Sequence, residues 1–413
     1  MQNQIPKNWQ KDNLENLLDI LIDHRGITPK KLGGGWSASG IPALSAKNIK
    51  TGKIVNEKDI RFVSQKLYEE WMPEKLEGGD VLLTSEAPLG ELYFLKEKRD
   101  YVLSQRLFAL RTNKKKLNSR YLYYYLQGSI GRQELLRRLS GTAAEGIRQV
   151  ELRQIIIEFP EDVLQQEKII SVISAFDDKI EVNNKIAKTL EEIAQALLKE
   201  WFVNFRFPGY EKAEFVDSEL GKIPDGWEII SLKDIVDLIS DRYIGNNNKD
   251  RIPYLPIDLI QPKTLLLKET APTEEAKSSL IKFIENDILF GAMRPYFFKV
   301  SIAPFIGLSR TTCFVFRPKV KGLLGYATFF LFRQETIDYA TNLSQGSTIP
   351  YARWNGALAE MNLLKPSPEL LQLFNMIALP VIENIKSIYF ENQKLTTLRD
   401  LLLPKLMRGE IRV

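Results

Sequence analysis

The side chains best placed for chemistry in this sequence are basic, amide and hydroxyl residues in loops beside Gly, Pro or Asn. In the first half they are Arg25, Lys30, Lys31, Lys47, Asn48, Ser85, Gln105, Arg106, Thr142 and Arg148. In the second half they are Arg242, Asn247, Lys249, Arg294, Tyr296, Arg310, Thr348 and Arg353. A loop Lys or Arg can neutralise a phosphate, while Arg, Asn and Gln present the paired donors or acceptors that match base edges. Loops on a rigid frame commonly carry recognition, so these residues form the DNA-binding candidates. Other basic and aromatic runs read differently. Lys114-Lys115-Lys116 reads as a solvated turn, and Tyr121, Tyr123, Tyr124 and Tyr125 read as core residues of one helix. Arg148 and Arg353 each follow a small-polar turn, and bracing that turn through its carbonyls suits them as well as contacting a ligand.

Composition removes several catalytic classes. The chain has 413 residues, a net charge of +5, one His (His24) and one Cys (Cys313). A His/Cys zinc site would need ligands the chain lacks, and a Ser-His-Asp arrangement has one candidate at most. No internal disulfide can form, which fits a reducing compartment. No P-loop pattern occurs. The turn that holds a flipped adenine in methyltransferases, Asn/Asp-Pro-Pro-Tyr/Phe, is also absent; Arg294-Pro295-Tyr296-Phe297 lacks its first and third residues. The expectation is a non-catalytic chain that binds neither metal nor cofactor. No apolar run is long enough to span a membrane and the first residues do not resemble a signal peptide, so the expected location is cytoplasmic.

The elements that must position these loops occur twice. Ile5-Pro6-Lys7-Asn8-Trp9 is echoed by Ile223-Pro224-Asp225-Gly226-Trp227, and Gly79-Asp80-Val81-Leu82-Leu83-Thr84 by Asn286-Asp287-Ile288-Leu289-Phe290-Gly291. Leu103-Ser104-Gln105-Arg106 matches Leu308-Ser309-Arg310-Thr311. Leu139 to Thr142 with Arg148 matches Leu343 to Thr348 with Arg353, and each copy ends in a Pro-containing break before a long helix. Ordered matches at offsets of 204 to 218 residues indicate a duplicated unit. The strands (Ile54 to Phe62, Val81 to Thr84, Phe108 to Arg111, Cys313 to Phe316) and helices (Ser119 to Leu139, Leu323 to Leu343) predict an α+β fold. Its two similar globular domains would carry mixed sheets and be joined by two long antiparallel coiled-coil helices. The expected limits are 1–160 for the first domain, 161–207 for the first helix, 208–367 for the second domain and 368–413 for the second helix.

The segment after Pro160 has no Pro or Gly until Pro208, enough for about forty helical residues. Ile173, Phe176, Ile180, Asn183, Ala187, Leu190, Ala194, Leu197 and Trp201 form a heptad seam on it. The second copy places Phe374, Val381, Ile388, Leu395 and Leu402 seven apart, with Ile377 and Leu398 beside them and a kink expected at Pro380. One seam on each helix predicts that the two pack on each other and act as a ruler between two readers. Asn183 and Asn384 fall on the seams, where a buried Asn fixes register and an exposed one does nothing. Repeated frames with divergent loops suit the reading of two unlike half-sites.

Several motifs resemble the specificity subunit of type I restriction-modification systems, over essentially the whole chain. They are Ile-Pro-x-x-Trp at both domain starts, Asp177 to Ile186 leading to Leu190-Glu191-Glu192, Ala196 to Val203, and the closing Leu398-Arg399-Asp400-Leu401-Leu402-Leu403-Pro404-Lys405-Leu406-Met407-Arg408-Gly409-Glu410-Ile411. The resemblance implies that the two globular domains are target-recognition domains that read a bipartite double-stranded DNA target. It also implies assembly with two methyltransferase subunits and with endonuclease/translocase subunits, which would carry S-adenosylmethionine, ATP and Mg2+. Contact residues vary with target in that family, so its members do not assign individual positions here. Two other readings stay open on sequence alone: a coiled-coil scaffold, and a freestanding sequence-specific DNA-binding regulator.

Overall fold

A computed structural model describes Pro6 and residues 8–139, 146–243, 252–276 and 279–413. The chain divides into two compact units. One comprises Met1–Asp177 with Thr397–Val413, and the other Asp178–Thr396.

The first unit is built on a four-stranded antiparallel sheet in the order Leu18–Asp23, Leu107–Thr112, Val81–Thr84, Leu92–Phe94. Trp9–Asn13 pairs separately with Ile156–Pro160. A smaller sheet orders Arg61–Val63, Ile41–Leu44 and Val102–Leu103. The second unit repeats this plan: Val236–Leu238, Cys313–Pro318, Ile288–Gly291 and Val300–Ile302 form its central sheet, and Glu228–Ser231 pairs with Asn362–Lys365. Its smaller sheet orders Arg242–Tyr243, Leu280–Phe283 and Gly307–Arg310. The fold is α+β, but both central sheets are antiparallel. Among the described residues, parallel pairing is confined to Ala43-Leu44 against Val102-Leu103 and to a Tyr254–Leu308 bridge. Ile41-Pro42-Ala43-Leu44 and Ile252-Pro253-Tyr254-Leu255 thus add a correspondence to the repeat.

Why the repeated Gly-Asp and Asn-Asp strand starts matter becomes plain from their side chains. Val81–Thr84 and Ile288–Gly291 are buried at every position, and the Asp before each accepts a paired arginine. Asp80 receives Arg111 Nε and Nη2 at 2.9 Å each, and Asp287 receives Arg317 Nε and Nη2 at 2.7 Å each. Each carboxylate also accepts a backbone N–H, from Glu77 or Ile284, at 2.8 Å. This satisfies a charge that burial alone would make costly.

The tyrosines of Ser119–Gln127 are core, as their helix position implied. The helix expected over Ser119 to Leu139 is two helices, Ser119–Gln127 and Ser129–Arg137, interrupted where Gly128 turns extended. The second copy breaks likewise, into Leu324–Leu331 and Gln334–Asn342. Each break is covered from a long helix. Leu403 packs over Gly128, while the Gln195 amide donates to the Phe329 and Phe332 carbonyls at 2.8 and 2.6 Å. Ile54 to Phe62, expected as one strand, is two short strands around a turn at Glu57–Asp59.

The long helices are Val163–Phe202 and Pro368–Met407, forty residues each, and the second runs on through Pro380 and Pro404. Within the second unit their pairing is antiparallel: Lys179 lies 3.3 Å from Glu391, and Trp201 packs edge-on to Phe374. Asn183 is buried and donates to Glu391 Oε2 at 2.8 Å and Asn392 Oδ1 at 2.9 Å, while Asn392 donates to Asn184. The seam position assigned to Asn384 is wrong. Asn384 is exposed and bonds back to the Pro380 carbonyl; Asn392 is the buried amide. Ile377 and Leu398 are exposed too. The buried face of this helix runs through Phe374, Ala378, Val381, Ile382, Ile385, Ile388 and Tyr389, which is wider than a single seam because the helix also packs on its globular domain.

Each domain start meets the end of a long helix. Gly409, at φ +67°, lies so close to Pro6 and the Trp9 ring that a Cβ there would overlap Pro6 Cγ at 2.5 Å. Trp227 packs against Phe202, Phe205 and Phe207. The Ile-Pro-x-x-Trp motifs are therefore closure residues.

Glu191, in the middle of the first long helix, is 2% exposed and accepts the Thr264 hydroxyl and the Leu265 N–H at 2.8 Å each. Burial raises its pKa to about 7, with those bonds opposing the shift. A carboxyl with a raised folded-state pKa binds more protons folded than unfolded between its two pKa values. Its contribution is therefore complete below about pH 4.5 and lost as pH rises through about 7. Glu191→Gln should remove this loss. Denaturant titrations at pH 5 and pH 8 should show wild type losing up to about 3 kcal/mol more than the variant across that interval. Parallel losses in the two proteins would show that Glu191 is ionised in the fold.

Candidate nucleic-acid interface

Four loops of the first unit are tied together at one end of its central sheet. The Ser85 N–H donates to the Arg106 carbonyl and the Ile147 N–H donates to the Ser85 carbonyl, each at 2.9 Å. Arg25 donates to Asp23 at 2.8 and 2.9 Å and to the Ile147 carbonyl at 3.3 Å, and lies 4.0 Å over the Phe108 ring. Arg106 is exposed, adopts φ +65° and approaches Glu86 at 3.0 Å. The Ala46 N–H donates to the Gln105 carbonyl at 3.1 Å, which joins the Lys47 loop to the same group.

The second unit ties the corresponding loops in the same way. The Ala292 N–H donates to the Thr312 carbonyl at 2.9 Å, the Ala352 N–H to the Ala292 carbonyl at 2.8 Å and the Arg294 N–H to the Pro350 carbonyl at 2.8 Å. Glu86 bridges Gly146 in one unit and Met293 bridges Tyr351 in the other. Arg294 has φ +52°, as Ala87 has φ +48° at the corresponding place. A backbone in the left-handed region is unfavourable for residues with a side chain, and such positions cluster at functional sites.

The frame brings together Arg25, Ser85, Gln105, Arg106 and Arg148 in one unit, and Arg294, Tyr296, Arg310, Thr348 and Arg353 in the other. Lys30, Lys31, Lys47, Gln105, Arg106, Arg148, Arg242, Tyr296, Arg310 and Thr348 are exposed. Two candidates need correction. Asn48 is buried at 3% exposure, accepting from the Ser45 N–H and hydroxyl and donating to the Val55 and Asn56 carbonyls, so its amide holds a turn and has no free edge. Ser85 is 1% exposed and acts through its backbone. Arg353 braces its turn by donating to the Leu343 carbonyl at 3.3 Å, whereas Arg148 is exposed without a side-chain partner among the described residues. Lys31 donates to the Gly26 carbonyl. Thr142, Asn247 and Lys249 lie outside the described residues.

Arg294, Arg310 and Arg353 have no carboxylate partner among the described residues, which leaves this cluster a net attraction for a polyanion. Sequence reading places Glu86 only in the candidate loop Ser85-Glu86-Ala87 and misses its ion pair with Arg106. Its neighbour Arg106 is twenty positions away, and only the antiparallel register Leu107↔Thr84 reveals their proximity. His24 Nε2 and Cys313, the two groups that could have seeded a catalytic constellation, are both withdrawn from solvent. His24 Nε2 is buried without a hydrogen-bond partner, and burial lowers its pKa. Cys313 is fully buried, with its thiol pushed up to about 12. Among the described residues no His/Cys/Asp/Glu group could hold a metal ion, and no helix is long and apolar enough to cross a membrane.

Residues 6–192 match the family described as type I restriction modification DNA specificity domain. The chain is 27% identical over 99% of its length to the type I restriction enzyme MjaIX specificity subunit of Methanocaldococcus jannaschii, covering 95% of that protein. It is 22% identical over 88% of its length to the HindI specificity subunit of Haemophilus influenzae, covering 94% of it. Its fold is that of the S subunit of a type I restriction-modification system from M. genitalium, with a TM-score of 0.55 and 16% identity, covering 98% of this chain and 97% of that one. With the duplicated frame and the paired helices, the chain is similar over nearly its full length to the specificity subunits of type I restriction-modification systems.

Proposed function

We propose that each unit reads one half of an asymmetric, bipartite double-stranded DNA target through its tied loop cluster. The observation that carries this is the division of labour within the repeat. Backbone ties recur position for position in the two units, while the side chains they present differ. A palindrome would call for the same side chains twice. Lys30, Lys31 and Lys47 suit phosphate contact, and Gln105, Arg106, Arg148, Arg294, Tyr296 and Arg310 suit groove contact.

The chain is the non-catalytic subunit of its complex. Its long helices support two copies of one partner. Val182, Ile186 and Ile193 leave an apolar stripe exposed on the first, and Phe390, Leu398 and Leu401 leave another on the second, 208 positions on for Val182/Phe390 and Ile193/Leu401. Equivalent faces favour two methyltransferase subunits carrying S-adenosylmethionine, with ATP and Mg2+ on endonuclease/translocase subunits, all in the cytoplasm. A bare scaffold or a freestanding regulator is the less favoured reading.

The test is a map of methylated adenines in cells carrying this chain or its Arg310→Ala variant. The variant should relax one half of the recognised sequence, with a loss of about 1–3 kcal/mol if the contact is bidentate to a base. Uniform weakening at every site would mark Arg310 as a phosphate contact, and simultaneous relaxation of both halves would refute one unit per half-site.

A further inference from the structure

We infer that Glu86 is a positioning residue that holds Arg106 for a guanine in the half-site of the first unit; this rests on the DNA reading above. The two side chains meet at 3.0 Å, Glu86 at Arg106 Nε, with side-chain exposures of 31% and 49%. A solvent-facing ion pair contributes little to stability. The local backbone is nevertheless committed to it. Arg106 sits at φ +65°, where glycine would be easier, and its carbonyl is fixed by the Ser85 N–H. Glu86 is fixed by its bridge to Gly146, where an added Cβ would crowd Glu86 Cβ at 3.0 Å. Two strained or crowded positions thus converge on one exposed guanidinium, a pattern expected where geometry serves recognition.

The carboxylate also selects among possible DNA contacts. A phosphate oxygen approaching Arg106 would meet the Glu86 charge, whereas a base edge brings no full negative charge. A guanidinium has more N–H donors than one carboxylate can engage, so Arg106 keeps a planar fork that matches guanine O6 and N7. The second unit holds Met293 and Thr312 at the corresponding backbone places, so the pair belongs to what differs between the readers and not to the shared frame.

The experiment uses the full chain in complex with its methyltransferase subunits. The probes are duplexes carrying the genome-mapped target, with each base pair of both halves substituted in turn. Wild type should discriminate at positions in both halves, one of them a G·C pair in a single half-site that Arg106 reads. Glu86→Gln should reduce that discrimination roughly tenfold or more while leaving every other position unchanged, and Glu86→Asp should restore part of it. Arg106→Gly should abolish the same discrimination with thermal stability kept or raised, since glycine relieves the positive φ. Unchanged discrimination in Glu86→Gln, or uniformly tighter binding to all duplexes, would overturn the assignment alone. A wild-type complex that distinguishes no base pair would overturn the DNA reading and this assignment with it.

Discussion

Asp80→Ala is expected to destabilise the first unit by about 3 kcal/mol or more. The carboxylate has no solvent exposure and accepts two bonds from Arg111 at 2.9 Å and one from the Glu77 N–H at 2.8 Å. Removing it strands a guanidinium that is itself only 16% exposed. Arg111 retains the Lys75 carbonyl and Glu77, so part of its charge stays compensated. Asp287→Ala should do the same to the second unit to a smaller degree, because Arg317 is 38% exposed and can rehydrate. Denaturant unfolding with hydrogen exchange to assign the loss would check both. A loss under about 1 kcal/mol for Asp80→Ala, or equal loss in both units, would contradict the argument.

Phe374→Ala should cost the second unit about 3–5 kcal/mol. Its ring is fully buried and meets Phe202 at 5.2 Å, Trp201 at 6.1 Å and Phe329 at 6.5 Å, all edge-on. Truncation would leave a cavity lined by rigid rings that cannot collapse into it, and would remove edge-to-face contacts beyond the lost area. Phe374→Leu should recover much of the loss by refilling the volume. Because Trp201 and Phe202 lie at the end of the first long helix, that end should also gain hydrogen exchange in Phe374→Ala. Exchange confined to the second helix would mean the cluster does not bind the two together.

The long helices and the duplication were legible because both are periodic. Forty residues without Pro or Gly leave one reading for the first helix, and Asp80/Asp287 and Trp9/Trp227 recur in order. What periodicity misses is any contact made by one residue across a long gap. Asn384 satisfied the seven-residue spacing, yet the helix broadens its buried face to pack on a domain, and Asn392 takes the buried place instead. The breaks at Gly128 and after Leu331 escaped notice because an apolar run looks helical whether or not a neighbour caps its middle. Among loop candidates, exposure sorted Gln105 and Arg106 from Asn48 and Ser85. No sequence signal separates an amide that holds a turn from one that faces solvent.

The closure of each domain by a helix end has a consequence for biosynthesis. The second unit is continuous, Asp178 to Thr396, but the first needs Thr397–Val413 to supply Leu403, Leu406 and Met407 to its core and Gly409 to the Trp9 ring. On the ribosome the first unit is therefore completed only after the whole of the second has been made. Its apolar surface around Trp9, Ile170 and Tyr125 waits uncovered until Leu403, Leu406 and Met407 emerge. A chain released before residue 397 would keep a complete second unit and an unsealed first one with exposed hydrophobic surface.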